Sequence, residues 1–344
     1  MSVSEGSTAP GSMDPRTEGD SLRGTGPSRR RARAAVLVSL LLATCGVALG
    51  LVGDRANAPG GGVVLAVSDA TAELISIRLP VEVNEQVEYW IGRFTGPQRP
   101  DFEAYLVREG LYGGMIRDRL RSRAMPEDLL YMAMIESGFL ATAISPVTAS
   151  GVWQFMQPTA LAYGLDVDEW VDERLDPVRA TDAALDYLEE LYAEFGSWYL
   201  AAAAYNAGPG LVARTIQRHT PTSLQDDELY WEIRAHLPRK NRAYVPKMLA
   251  AAVLVREADR FGFEVEKSLP YLFDQVLVPN GTPLAALAAA LDVPDSLLRE
   301  LNPHLIRGTT PPDRSYVVRI PKGDSNRLVA ELNGIVDWSS TAGD

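Results

Sequence analysis

Glu136 ends the apolar run LLYMAMIESGF, Leu129 to Phe139, and is the only charged residue between Leu129 and Leu165. A carboxyl held in apolar surroundings has its charged form disfavoured, so its pKa rises and it stays protonated near neutrality. Such a group can act as a general acid. A Glu at a helix end that simply faced water would do no chemistry, and charged side chains are rarely buried. Its company favours the acid. The segment SPVTASGVWQFMQPTA, Ser145 to Ala160, mixes loop-forming Ser, Pro, Thr and Gly with Trp153, Phe155 and Met156. Aromatic faces beside amides and hydroxyls suit a sugar-binding cleft. A third stretch, AAYNAGPG, puts the Tyr205 phenol and the Asn206 amide at the end of an apolar helix.

These residues must be positioned by helices. Met125-Pro126-Glu127-Asp128 reads as a helix start, with Pro at the first position and acids in the first turn. That helix is expected to run to about Ser137 and stop at Gly138 in a left-handed cap. Asp176-Pro177 starts a second helix whose apolar positions, Ala180, Ala184, Leu188, Leu191 and Tyr192, follow helical spacing up to Gly196. Ser197 then caps WYLAAAAYNAG, an almost wholly apolar helix. A long helix is expected from Lys240 to Phe261, with Pro246 in its first turns. Residues 80 to 122 read as helical pieces punctuated by Thr95-Gly96-Pro97 and Gly113-Gly114, and a short hairpin is expected around Ser145 to Gly151. Alternation is scarce before position 270, so the body is mainly α.

Composition shifts at Leu269-Pro270. DQVLVP is a strand pattern, LAALAAALDV and SLLRELN read as two helices, and SYVVRIP is a strand again. Strand, helix, helix, strand describes a small α+β module packed on one sheet face. The tail from Gly323 allows a final helix.

The chain has 344 residues and a formal net charge of -12. Residues 1 to 58 hold seven Lys/Arg and five Asp/Glu, which leaves -14 on the remainder. An acidic body without a basic stripe argues against nucleic-acid binding. Residues 1–33 are polar and basic, a composition that predicts disorder. The uncharged run from Ala34 to Gly53, after RRRAR and before Ala56-Asn57-Ala58, reads as an export signal over 34–58 or, given its length, as a membrane anchor. The sole cysteine, Cys45, lies in this run, so the soluble part offers no disulfide and no thiolate metal site. Asp166, Asp168 and Asp172 lack the Gly-centred loop of a calcium site, and His219, His236 and His304 have no ligand spacing. No metal or cofactor is expected.

In their order and spacing the three segments resemble the lytic transglycosylase (SLT) family. The motifs are Glu136-Ser137, then Ser145-Pro146 with Ala149-Ser150-Gly151-Val152-Trp153-Gln154, then Ala204-Tyr205-Asn206-Ala207-Gly208. WVDERLDP (Trp170 to Pro177) and YVPKML (Tyr244 to Leu249) extend the likeness from about Val81 to Phe261. It implies a goose-lysozyme-like helical fold over 80–265, a peptidoglycan glycan strand as substrate, and Glu136 as the single catalytic acid and base. Ser145 and Gln154 would contact N-acetylmuramic acid and its acetamide, and Ser137, next to Glu136, would also bind substrate. Tyr205 would hydrogen-bond near Glu136, Asn206 would help shape the pocket, and Trp153 and Phe155 would support the cleft floor. Tyr244 would be a wall residue. Many relatives carry Glu-Thr where this chain has Lys240 and Asn241, which puts the local glycan contact in doubt. Residues 269–323 resemble LysM-like segments, either a tether for N-acetylglucosamine-containing glycan or a structural cap. A linker, 59–79, and a tail, 324–344, complete the organisation. A goose-type lysozyme-like hydrolase and a catalytically silent glycan-binding protein remain as alternatives on the same residues.

Overall fold

The computed structural model of the chain describes residues 77–220 and 226–332. The expectations for 1–33, for the signal or anchor at 34–58 and for most of the linker lie outside them. Among the described residues, no helix is long and apolar enough to cross a membrane.

The architecture is mainly α. In chain order the helices are α1 (Glu85–Thr95), α2 (Arg99–Ser122), α3 (Leu130–Ser137), α4 (Gln157–Ala162), α5 (Pro177–Phe195), α6 (Trp198–Ala207), α7 (Pro209–His219), α8 (Asp227–Arg234) and α9 (Tyr244–Arg256). Strand β1 (Phe273–Val278), helices α10 (Leu284–Ala290) and α11 (Asp295–Leu301) and strand β2 (Tyr316–Pro321) follow. The two strands pair antiparallel, Phe273 opposite Pro321 and Val278 opposite Tyr316. Residues 325–332 are helical.

Local chemistry sets the ends. Gly138 and Gly196 take the left-handed conformation and stop α3 and α5, each donating its N–H back to the helix. Asp176 accepts from the N–H groups of Val178 and Arg179 at the start of α5, and Ser197 accepts from that of Leu200 at the start of α6. Three helices, α3, α6 and α9, are apolar nearly all round. They sit in one buried core, α9 against α1, α3 and α6, with α6 also against α5, α7 and α8. Alanines at 201 to 204 and 250 to 252, all buried, let these backbones approach closely.

Four expectations shift. Gly113-Gly114 does not interrupt α2, which runs unbroken from Arg99 to Ser122. Close approach is served by Gly110 instead, where a Cβ would collide with the backbone of Ser268. The long helix starts at Tyr244, not Lys240, because 239–243 form turns after Pro238, and it gives way to a short 3-10 turn, Asp259–Phe261. Pro246 falls in its first turn, where an N–H would lack an intrahelical partner anyway. Around Ser145 the chain makes isolated bridges, Ile144 with Ser150 and Ser150 with Phe155, rather than strands. Asp128 does not face a helix dipole. Fully buried in a 3-10 turn, it accepts from Leu79 N at 2.7 Å and pairs with Arg256 of α9, tying the chain before α1 to the core.

A second apolar core lies under the β1–β2 sheet. It is built from Val276, Val278, Leu284, Leu287, Leu298, Val318 and Ile320, and it takes in Val171 from the larger body. Backbone bonds reinforce the contact: Asp172 N donates to His304 O at 2.9 Å and Ile306 N to Trp170 O at 3.2 Å. Beneath them Arg319 of β2 donates to both Asp176 oxygens, at 2.8 and 2.7 Å, with the two residues 3% and 1% exposed. Burial alone would raise the Asp176 carboxyl; the charges and donors around it hold it below the ordinary carboxylate range. His304, 3.6 Å away, is driven by burial to a pKa of about 4, so Arg319 is the cation that counts at neutral pH.

Removing one partner of a buried pair leaves an uncompensated charge, at a cost of roughly 3–5 kcal/mol. Asp176→Ala also deletes the cap of α5, worth about 1 kcal/mol. We expect this variant to lose at least ~3 kcal/mol in urea unfolding. A loss below ~1 kcal/mol would show that the pair does not hold the module in place.

Candidate active site

Glu136 sits in the last turn of α3, where the backbone carbonyls disfavour an anion. It keeps partial solvent exposure, while the helices around it exclude most water. Burial raises its pKa from the ordinary value to about 7; a hydrogen bond from Tyr244 and the charge of Lys247 pull the other way. Tyr244 opens α9 and donates its hydroxyl to Glu136 Oε1 at 2.7 Å. Burial, with the Glu136 carboxylate next, lifts the Tyr244 phenol well above its usual range, so it remains a donor. Oε1 is thereby fixed as an acceptor, which leaves Oε2 to carry the acidic proton.

Tyr205 and Tyr244 exchange the expected roles. Tyr205 lies close enough for Glu136 to raise its pKa, after burial, yet its hydroxyl goes to the carbonyl of Trp153 at 2.8 Å. It is a strut between α6 and the loop that follows α3. Tyr244, expected as a wall, is the direct partner of the acid.

The loop from Ile144 to Phe155 is knitted from within. Ser145 Oγ accepts from Ala149 N at 3.0 Å, and Ser137 Oγ donates to the Val152 carbonyl at 2.9 Å. Gln154 adopts a left-handed backbone, φ 50°, and its amide nitrogen donates to the carbonyls of Gly151 and Ala143 at 2.9 and 3.2 Å. Thr148 is left-handed too, φ 65°, and such conformations cost on the order of 1–3 kcal/mol each. They persist because the loop is clamped from below. Arg174, held by both oxygens of Asp172, donates to the carbonyls of Thr148 at 2.8 Å and Phe155 at 3.3 Å. Gly151 lies so close to the Arg174 carbonyl that no Cβ would fit.

Trp153 is fully buried, its indole N–H bonded to Thr181 Oγ1 at 2.9 Å, and Phe155 is 2% exposed against Tyr205. Both are buried beneath the 144–155 loop. Asn206 is exposed at the end of α6 and accepts from Asn241 Nδ2 at 2.7 Å. The three aspartates of the 166–172 segment have protein partners. Asp168 accepts from the N–H groups of Trp170 and Val171, Asp172 pairs with Arg174, and Asp166 approaches Arg314. Two of the histidines that stand apart in sequence, His219 and His236, stack at 3.8 Å. A cavity of about 640 Å³ borders the loop after Glu136, between Tyr112, Phe139, Leu140, Tyr271 and Ile306, but it does not include the acid.

Lys247 is the residue that sequence reasoning missed. One turn after Tyr244 on α9, it lies over the ring of Trp90 with Nζ 4.4 Å from the centroid. Burial lowers its pKa, opposed by Glu136 and reinforced by Arg93. The signal was present as helical spacing, Tyr244 to Lys247, and had no meaning until Tyr244 was placed on Glu136.

Residues 115–226 match the family described as "Transglycosylase SLT domain", and residues 272–336 match "Lytic transglycosylase MltD, LysM-like domain". Membrane-bound lytic murein transglycosylase D of Escherichia coli strain K12 is 29% identical over 228 residues, 66% of this chain and 50% of that protein. The chain thus spans about half the length of the curated relative it matches. Peptidoglycan transglycosylase gp16 of Escherichia phage T7 is 38% identical over 102 residues, 29% of this chain and 8% of that protein. Among solved structures, the 70 kDa soluble lytic transglycosylase of Escherichia coli is 27% identical over 42% of this chain and 24% of that one, with a TM-score of 0.36. The chain therefore resembles lytic transglycosylases in one segment and their LysM-like module in a second. Glu136, the Ser145 loop, Tyr205 and Asn206 lie inside the first match; Tyr244, Asn241 and Lys247 lie beyond it.

Two outcomes follow from the electrostatics. Lys247→Met removes a charge that favours the Glu136 carboxylate, while Tyr244, Tyr205 and Arg93 remain. The Glu136 pKa should rise above about 7, read from its carboxyl carbon shift in an NMR titration; an unmoved value would show that Lys247 does not act on it. The second concerns stability. With a folded pKa of about 7 above an ordinary 4.5, the folded state binds more protons, so this group's contribution is full below 4.5 and is lost as pH rises through 7. Glu136→Gln should accordingly stabilise the fold at pH 8 by on the order of 2 kcal/mol and leave it unchanged at pH 4, measured by urea unfolding. An equal effect at both pH values would refute the burial argument.

Proposed function

We propose that this chain is a peptidoglycan lytic transglycosylase. In this reading it cleaves the β-1,4 bond from N-acetylmuramic acid to N-acetylglucosamine without water and leaves 1,6-anhydro-N-acetylmuramic acid ends. The observation that carries the reading is the setting of Glu136, a buried carboxyl pushed up to about 7 whose electrostatic neighbours among the described residues, Tyr244, Tyr205 and Lys247, include no second carboxylate. Glycosidases that work with two carboxyl groups need the second within about 5–9.5 Å as nucleophile or base. A like charge that near would push the first carboxyl up, and no such contribution from the described residues reaches Glu136.

One group suffices when the substrate supplies its own nucleophile. Glu136 Oε2 gives its proton to the glycosidic oxygen and the bond to C1 breaks. The resulting carboxylate, stabilised by the Tyr244 hydroxyl and the Lys247 charge, takes the proton of the C6 hydroxyl of the same muramic acid. That oxygen closes onto C1. The proton balance over the cycle is zero, and the intramolecular geometry replaces the second catalytic group. Ser137, Ser145, Gln154 and Asn206 form the polar rim of the cleft in this reading, and Trp153 and Phe155 its support.

Residues 34–58 act in this reading as export signal or anchor and place the site in the periplasm or cell envelope, where peptidoglycan is found. The Escherichia coli relative carries "membrane-bound" in its name. The module at 269–323 acts as a structural cap on the 166–176 segment, a role supported by the buried Arg319–Asp176 pair.

Glu136→Gln should cut the release of muropeptides from purified murein sacculi by roughly 10²–10⁴-fold or more, with an unchanged circular dichroism spectrum. Wild-type products should be lighter by one water than reducing-end muropeptides in mass spectrometry. Full activity in the variant would end the assignment of the acid, and reducing ends from the wild type would make the protein a hydrolase.

A further inference from the structure

Asn241 stands in the turn that launches α9. Tyr244 N donates to its carbonyl at 3.3 Å, so one turn of chain carries both the partner of the acid and this amide. Its side chain is 7% exposed, and Nδ2 donates to Asn206 Oδ1 at 2.7 Å. Its own Oδ1 is buried without a hydrogen-bond partner. Asn206 is exposed at the end of α6, next in the chain to Tyr205.

Hydrogen-bond accounting fixes which way the pair points. In the arrangement observed, one acceptor is left unsatisfied in the interior. Turning both amides over would instead bury the Asn241 NH2 in the closed position. Orphaned buried N–H groups are rarer than under-satisfied carbonyl oxygens, and an NH2 has two hydrogens to place. The arrangement observed is the less costly one. Its consequence lies on the outside: the Asn206 carbonyl is taken by Asn241, so the end that Asn206 presents to a ligand is its NH2, a donor.

We propose that Asn241 is a positioning residue for substrate recognition: by holding the Asn206 carbonyl it sets the exposed Asn206 amide as a hydrogen-bond donor to an amide carbonyl oxygen on the glycan, an N-acetyl group. This deepens the glycan-cleaving reading above and rests on it. The N-acetyl carbonyl is the strongest neutral acceptor a glycan of N-acetylated sugars offers, and an outward NH2 matches it where an outward carbonyl would not. A small residue with a hydroxyl at position 241 would not span the same distance with an amide, so this chain's choice of Asn bears on how it reads its glycan. The buried carbonyl without a partner is the cost of that choice.

The test is a double-mutant cycle in the full chain, with murein sacculi as substrate. Asn206→Ala removes the donor; Asn241→Leu removes the latch; Asn241→Asp offers only acceptors when ionised and turns the Asn206 NH2 inward. Each single variant should raise KM roughly 5- to 20-fold with kcat within about twofold, as expected for loss of one binding hydrogen bond. The double variant Asn206→Ala with Asn241→Leu should be no worse than Asn206→Ala alone. Asn241→Leu that leaves KM unchanged, or that adds its full effect on top of Asn206→Ala, overturns the proposal. If Asn241→Leu does not fold, Asn241→Asp carries the cycle, judged by the same two criteria. Sacculi untouched by the wild-type protein would instead overturn the functional reading on which it rests.

Discussion

Every feature of the site is organised around the conflict between drying a carboxyl and keeping it usable. Helices α3, α6 and α9 are apolar on nearly every face, and their packing is what removes water from Glu136. Desolvation of that kind can shift a buried carboxyl by several pKa units, enough to make it a permanent, inert acid. The hydrogen bond from Tyr244 at 2.7 Å checks the drift. It gives the charged form a partner, and it settles which oxygen holds the proton. Because Tyr244 opens α9 and Glu136 closes α3, the bond also reports the register of two core helices. Any repacking of α9 on α3 moves the pKa and the proton together.

The loop that faces the acid is supported from a distance. Left-handed Thr148 and Gln154 would relax in an isolated loop, but Arg174 holds their carbonyl neighbours, and Asp172 holds Arg174. Two residues on, Asp176 caps α5 and pairs with Arg319 of the C-terminal module. His304 and Trp170 supply backbone bonds across the same junction. The segment from 166 to 176 is thus a common footing for the 144–155 loop and for the β1–β2 module. The module and the loop thereby share one anchor.

Much of this was legible in the residues, and the limit follows range. Caps are chemistry between neighbours in the chain, so Gly138, Asp176-Pro177, Gly196 and Ser197 mark their helix ends in sequence. Strand, helix, helix, strand was readable because alternation and helical spacing are local too. The Tyr244–Glu136 bond joins residues 108 apart and leaves no local trace. Gly113-Gly114 looks like a break by propensity, yet α2 continues because the buried Tyr112 and Ile116 on either side anchor it in the core, against the modest cost of glycine in a helix. Tyr192 fits the apolar stripe of α5 by spacing but stays exposed, stacked on Trp198 at 4.1 Å. The departure at Lys240 and Asn241, a mere mismatch in sequence, becomes an interaction once α6 brings Asn206 to it.

The sign of the charge beside Glu136 bears most directly on how one group can serve twice. A proton shuttle must give in one step and take in the next, so its pKa should lie near the ambient pH. A second carboxylate nearby would push it higher and make the return step easy but leave donation weak. A cation in direct contact would pull it down to an ordinary carboxylate and forfeit the acid. Lys247 does neither: it is held against the face of Trp90, where burial weakens its own charged form, and it acts on Glu136 through its charge rather than through an ion pair. The result is a carboxyl poised at about 7, set by burial and trimmed by one phenol and one displaced cation. In the proposed reaction that balance is what lets the substrate's own hydroxyl stand in for a second catalytic residue.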